Sequence, residues 1–290
     1  MKDYMYLALA TDDGVRGYAA ATTHLVEEAR QRHGTAPTAT VALGRALTAA
    51  ALMSGLLKVG QRVAMKWEGT GPLRKLVVEA DAKGRLRGYA AEPEVDLPLV
   101  EGDYDVVRAI GRAGLLTVVR DLLLPELAEG AVHLAASDIS GDVAYFLEQS
   151  DQVASAVEVG VALNPDGSVA AAGGILIQPL PPYDADVVAQ LKERLQEMPP
   201  VTALLAEGQK PEAILDEVFT GIKHKLLSKY PLRFECDCSR ERTESALVSL
   251  GRDELQELLD NEGQASVTCQ YCRTEYVFTA PELEALIAAL

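Results

Sequence analysis

Cys236-Asp237-Cys238-Ser239-Arg240-Glu241-Arg242, followed after a helical insert by Cys269-Gln270-Tyr271-Cys272, holds every cysteine of the chain. Two close pairs brought together suit a tetrahedral zinc site, each pair supplying two thiolates from one backbone turn. The same sulfurs can instead close into two disulfides. A C-x-C disulfide is tight, because a single residue sets its Cα separation, and such a bond tends to be strained and reversible. From these residues alone a structural zinc site, a redox-responsive site and unrelated thiols all remain open. Four thiolates on Zn²⁺ leave a charge of about −2, which Arg233, Arg240, Arg242 and Arg273 are near enough in sequence to offset.

Outward from the cysteines, residues 236–290 read as a small module. Ser239 is placed to cap a helix carrying Ala246, Leu247 and Leu250, and Leu255, Leu258 and Leu259 mark a second helix ending near Gly263. Val267-Thr268 and Tyr276-Val277-Phe278 predict a hairpin with the second cysteine pair at its tip, and Pro281 suits the first turn of a last helix. A module of about 55 residues has little core, so a metal would supply much of its stability.

Upstream, residues 179–235 read as a helical linker opened by Pro179-Leu180-Pro181-Pro182. Val187, Val188, Leu191, Leu195 and Met198 form one apolar face; Ile214, Leu215, Val218 and Phe219 form another beyond Pro211. Helices this short are not stable alone, so the faces must rest on another surface. Residues 1–178 group strands and helices as an α+β domain with a largely antiparallel sheet. Strands are expected at 4–11, 15–21, 63–68, 76–80, 86–91, 116–120, 132–135, 156–163 and 169–178, and helices at 23–33, 37–58 and 142–148. Thr22 or Thr23 is the expected cap of the first helix.

The 48% apolar and 24% charged content marks an ordinary soluble globular protein. A net charge of −16 opposes partnership with nucleic acid or an anionic membrane. No basic-then-apolar leader opens residues 1–13, and the apolar run 46–57 is too short to span a bilayer. A cytoplasmic chain is expected, where cysteines serve as ligands or redox groups more often than as permanent disulfides. No P-loop, dinucleotide fingerprint, G-x-S-x-G or H-E-x-x-H occurs, and His24, His33, His133 and His224 are scattered. No enzyme is expected. Ala171-Ala172-Gly173-Gly174 reads as close strand packing rather than a phosphate loop.

The C-x-C-S-R-E-R and C-x-x-C elements together resemble the heat shock protein 33 family, the bacterial 33 kDa chaperonins. Gly69-Thr-Gly71-Pro72, Gly84-Arg-Leu-Arg-Gly88-Tyr89 and Ala171–Gln178 extend the resemblance along the whole chain. Position 243 is Thr, so the extra cysteine of some members is missing. The resemblance implies a redox-regulated, ATP-independent holdase for unfolding client proteins, with a homodimer as its active form. It implies one Zn²⁺ on Cys236, Cys238, Cys269 and Cys272 in the reduced, inactive state. Oxidation would then form disulfides, expel zinc and unfold module and linker. Four cysteines allow three pairings, and closure between sequence neighbours costs the least loop entropy, so Cys236–Cys238 and Cys269–Cys272 are expected. The competing readings are a zinc-ribbon protein that binds nucleic acid or the ribosome, and an enzyme whose zinc module is a regulatory appendage.

Overall fold

The computed structural model describes residues 2–290. Two compact units meet at the Glu235–Cys236 peptide bond.

The first unit is built on two sheets. One runs in the order β10(Lys225–Pro231), β1(Tyr4–Ala10), β2(Val15–Ala21), β9(Val169–Pro179) and β8(Ala156–Leu163), antiparallel throughout. The other runs β11(Arg233–Phe234), β5(Arg85–Ala90), β4(Lys75–Asp81), β3(Arg62–Gly69), β6(Gly114–Asp121) and β7(Ala128–His133), with only the short β11–β5 pair parallel. The fold is therefore α+β, as expected. Period-2 burial along β3, β4 and β5 places one face of that sheet inward. α2(Pro37–Ser54), which holds most of the apolar run 46–57, is buried along almost its whole length and packs on β4, β5, β8 and β9.

α1(Thr23–His33) ends at Gly34, whose left-handed φ of 60° closes the helix as a glycine can. Its expected caps are used elsewhere. Thr22 gives its hydroxyl to a buried pair with Thr48, 2.7 Å away. The Asp3 carboxylate takes the role instead, accepting from the Leu25 amide at 2.6 Å, because β1 runs beside the helix N-terminus. α3(Val106–Ile110) and α4(Ser140–Gln149) complete the helices before residue 179; α3 is one short turn, too brief for a periodic signal.

α5(Ala185–Glu197), α6(Val201–Ala206) and α7(Pro211–Val218) lie on the five-stranded sheet. Val188, Leu191, Leu195, Ile214, Leu215, Val218 and Phe219 enter one core with Ala8, Val15, Ala19, Ile175 and Ile177. α6 comes close at Gly173: a Cβ there would collide with Leu205 and with the Ala20 carbonyl. This is the close packing that the Ala-Ala-Gly-Gly stretch suggests. The helical reading of the whole stretch to 235 is corrected, because Lys225–Pro231 and Arg233–Phe234 are strands. β10 alternates exposed and half-buried residues and hydrogen-bonds to β1, a tertiary pairing that outweighs local helix preference.

Candidate metal centre

The second unit, Cys236–Leu290, contains α8(Arg240–Val248), α9(Arg252–Glu262), the hairpin β12(Gln264–Thr268)/β13(Glu275–Thr279) and α10(Ala280–Ala289). Ser239 caps α8, accepting from the Arg242 amide at 3.3 Å, and Gly263 closes α9 in the left-handed region. Thr279 and Glu282 form a reciprocal capping box around Pro281. The core is small: Leu247, Leu255, Ala265, Phe278, Leu283 and Ile287.

The second cysteine pair is presented by a turn, and the first lies in irregular chain just before α8. The Cys269 amide donates to the Thr274 carbonyl at 2.9 Å and the Arg273 amide to the Cys269 carbonyl at 2.8 Å, with Arg273 at a φ of 61°. This folds Cys269–Cys272 into a knuckle at the hairpin tip. The four sulfurs lie within 4.8 Å of one another. Cys236 Sγ is 3.8 Å from Cys269 Sγ, and Cys238 Sγ is 3.3 Å from Cys272 Sγ. A tetrahedron with Zn–S bonds of about 2.3 Å has S–S edges of about 3.8 Å, so the cage is of the right size. The four sulfurs are positioned to hold a metal ion, and an all-thiolate donor set fits zinc. No disulfide joins any two of them, and the same thiols suit redox-sensitive disulfide formation. No histidine enters the cluster among the described residues.

The sulfurs differ in their surroundings. Burial opposes ionisation of Cys272, but hydrogen bonding with the Thr274 hydroxyl, 3.2 Å away, and with its backbone brings the thiol down to about 7. Burial pushes Cys238 up, against hydrogen bonding with the Tyr276 hydroxyl at 3.2 Å. The contact with Cys238 raises Tyr276 to about 12, so the phenol keeps its proton and is the donor whenever that sulfur is a thiolate. Thr274 and Tyr276 escape a reading of the cysteines alone. The signal for Tyr276 was its place on the returning strand of the hairpin. The arginines serve carboxylates more than sulfurs: Arg233 meets Glu235, Arg240 meets Glu282 and covers Phe278, and Arg242 meets Asp237.

The model of the Hsp33 protein family matches residues 3–279 of this chain. The chain belongs to the Hsp33 family. It is 49% identical over 284 residues to the 33 kDa chaperonin of Geobacter sulfurreducens, covering 98% of this chain and 94% of that one. It is 44% identical to the 33 kDa chaperonin of Bacillus subtilis, covering 98% of each. The crystal structure of the 33 kDa chaperonin, a heat shock protein 33 homolog, of Thermotoga maritima superposes with a TM-score of 0.92 at 35% identity, covering 99% of this chain and 98% of that one. The Hsp33 match spans both units and all four cysteines. Hsp33 is a chaperone family, and chaperonins are not an enzyme class. No helix among the described residues is long and apolar enough to cross a membrane.

Proposed function

We propose that this chain is a redox-regulated, ATP-independent holdase, held inactive while Cys236, Cys238, Cys269 and Cys272 bind one Zn²⁺. The observation that carries the reading is the four-sulfur cage in a unit with so small a core. Binding of structural zinc is worth on the order of 10–16 kcal/mol, comparable to the whole stability of a small domain. Zinc bound here supplies folding energy and holds the sulfurs as thiolates.

Each disulfide takes two electrons from its cysteine pair. With peroxide, one O–O bond breaks per S–S bond formed, and the two oxygens leave as water after taking up the available protons. Two equivalents therefore convert all four thiolates. Disulfide sulfurs lack the thiolate charge that holds the ion, so the cage loses its affinity for metal. The proposed pairs are Cys236–Cys238 and Cys269–Cys272. The shortest distances in the thiol form run across the pairs, but in a four-sulfur cage every sulfur neighbours every other. Once the cage opens, chain connectivity favours the sequence-near closures.

The unit then unfolds, and the docked helices α5–α7 follow if their docked state is favoured by the folded unit. Their release bares Leu191, Leu195, Ile214 and Leu215 and the sheet surface beneath them, apolar area suited to unfolding clients. The acidic chain, proposed to work in the cytoplasm, stays soluble while it does so. Its active form is proposed to be a homodimer. The deciding experiment follows suppression of client aggregation before and after peroxide, with zinc release and disulfide mapping in parallel. Activity that neither rises with peroxide nor tracks zinc release would refute the proposal.

A further inference from the structure

We infer that the outer edge of β7, with the hairpin leading into it, is a docking strand for extended polypeptide segments that alternate apolar and cationic residues. This rests on the chaperone reading, and it concerns a surface open in the thiol form.

β7 pairs with β6 on one side and has no strand on the other among the described residues. The Leu134 amide donates to the Gly114 carbonyl, which sets the alternation of the ladder. By that alternation Glu129, Ala131 and His133 turn their backbone N–H and C=O groups away from β6, and all three residues are exposed. Natural edges are blunted by Lys, Pro or inward charge. β10, an edge of the other sheet, carries Lys225, Lys229 and Pro231. β7 has neither Lys nor Pro and contains Gly130.

The hairpin Asp121–Leu127 adds the apolar component. Leu123, Leu124 and Leu127 are 65%, 64% and 61% exposed. Leu123 also sits at a φ of 61°, a conformation that is unfavourable for leucine, held by its amide bonding to Asp121 at 3.0 Å. Unpaired edge groups call for an extended backbone, and the leucines call for apolar side chains.

Charge decides between occupants. From Asp121 to Leu191 the chain has no Lys or Arg, and Glu126 and Glu129 flank the edge. Arg62 on β3 stands across from Asp121 in register, at the β6 end of the hairpin. A second copy pairing antiparallel about Ala131 would set Glu129 opposite the copy's His133 and bring no Lys or Arg to the two glutamates. A cationic segment meets them favourably.

The test is fluorescence anisotropy of two labelled peptides of about eight residues, one alternating Val and Lys and the other Val and Glu, with the full chain under reducing conditions. The Val-Lys peptide is expected to bind more tightly by on the order of tenfold, and more weakly as salt rises. Ala131→Pro removes one outward N–H without touching the β6 ladder and should weaken binding by up to about tenfold. Glu129→Lys should shift preference toward the Val-Glu peptide, a reversal that mere loss of structure does not give. If Ala131→Pro does not fold, Leu123→Ser with Leu124→Ser replaces it. Equal binding of both peptides, indifference to Ala131→Pro (or to the Leu123→Ser/Leu124→Ser pair that replaces it) and Glu129→Lys, or an edge that instead self-associates in sedimentation and loses that self-association in Ala131→Pro would each overturn the inference. Peroxide dependence of client protection is read separately, so the redox proposal and the edge proposal fail independently.

Discussion

The Glu158 carboxylate on β8 accepts a hydrogen bond from the backbone amide of Val201, at the first turn of α6, at 2.8 Å. This one strand residue thus holds the start of a helix that belongs to the releasable segment. Burial raises the Glu158 pKa above about 4.5, only partly offset by the Val201 amide. Ser155, Lys192 and Gln196 face the same cavity. A raised carboxylate favours the folded state while protonated, and that contribution is lost as pH rises through the folded pKa. Ionised at neutral pH, Glu158 therefore contributes less to the docked state than its protonated form does in acid. Glu158→Gln keeps the acceptor and removes the charge, so it should dock α6 more firmly at pH 7–8 and slow activation by peroxide. Hydrogen exchange of α5–α7, corrected for intrinsic rates, should lose protection with rising pH in the parent chain and stay flat in the variant. Identical pH slopes in the two proteins would remove Glu158 from the mechanism.

Leu191 and Leu215 are both fully buried beneath α5 and α7. A charge at either place is unpaired in an apolar core, while truncation to Ala costs about 2–5 kcal/mol. Leu191→Lys and Leu215→Lys should release the helices and raise client protection without oxidant, with zinc content unchanged. Leu191→Ala should lower the peroxide dose required. Variants that stay inactive and fully exchange-protected would leave the cysteine unit itself as the gate.

Much of this was legible in the sequence, for local reasons. Gly34, Ser239, Gly263 and Pro281 mark helix ends by backbone chemistry, and the structure places helix boundaries at each. Val187, Leu191 and Leu195 show their face by spacing alone. What escaped depends on distant partners. Lys225–Pro231 becomes a strand only because β1 offers an edge, and Asp3 caps α1 only because β1 runs past it. Glu158, Thr274 and Tyr276 look ordinary in sequence and gain their roles from the groups the fold sets against them.

The Tyr276 hydroxyl lies 3.2 Å from Cys238 Sγ and donates to that sulfur once it is a thiolate, which it thereby supports. Losing such a partner lowers metal affinity by about 10–100-fold in comparable sites. Tyr276→Phe should therefore weaken zinc binding in a chelator competition by roughly that factor, while the chain remains folded with zinc in excess. Unchanged affinity would show the contact to be incidental.

Metal removal tests the largest claim made for the second unit. Its core is six buried side chains, of which Leu247 and Ile287 keep some exposure, and its hairpin closes on the Cys269–Cys272 knuckle. The five- and six-stranded sheets belong to the first unit. A strong chelator under reducing conditions should therefore unfold 236–290 while the sheets persist. Amide exchange in α8–α10 and β12/β13 should become fast, while β1, β2, β3 and β9 stay protected. Thermal unfolding should split into two transitions, the lower one moving upward with added zinc by mass action. Exchange in α5–α7 then discriminates two couplings. If loss of metal alone frees these helices, unfolding of the unit is the trigger and disulfide formation only makes it durable. If the helices stay docked on the sheet after chelation, the disulfides themselves must act on the linker. A unit that remains fully protected without metal or disulfides would refute the metal-dependent fold altogether.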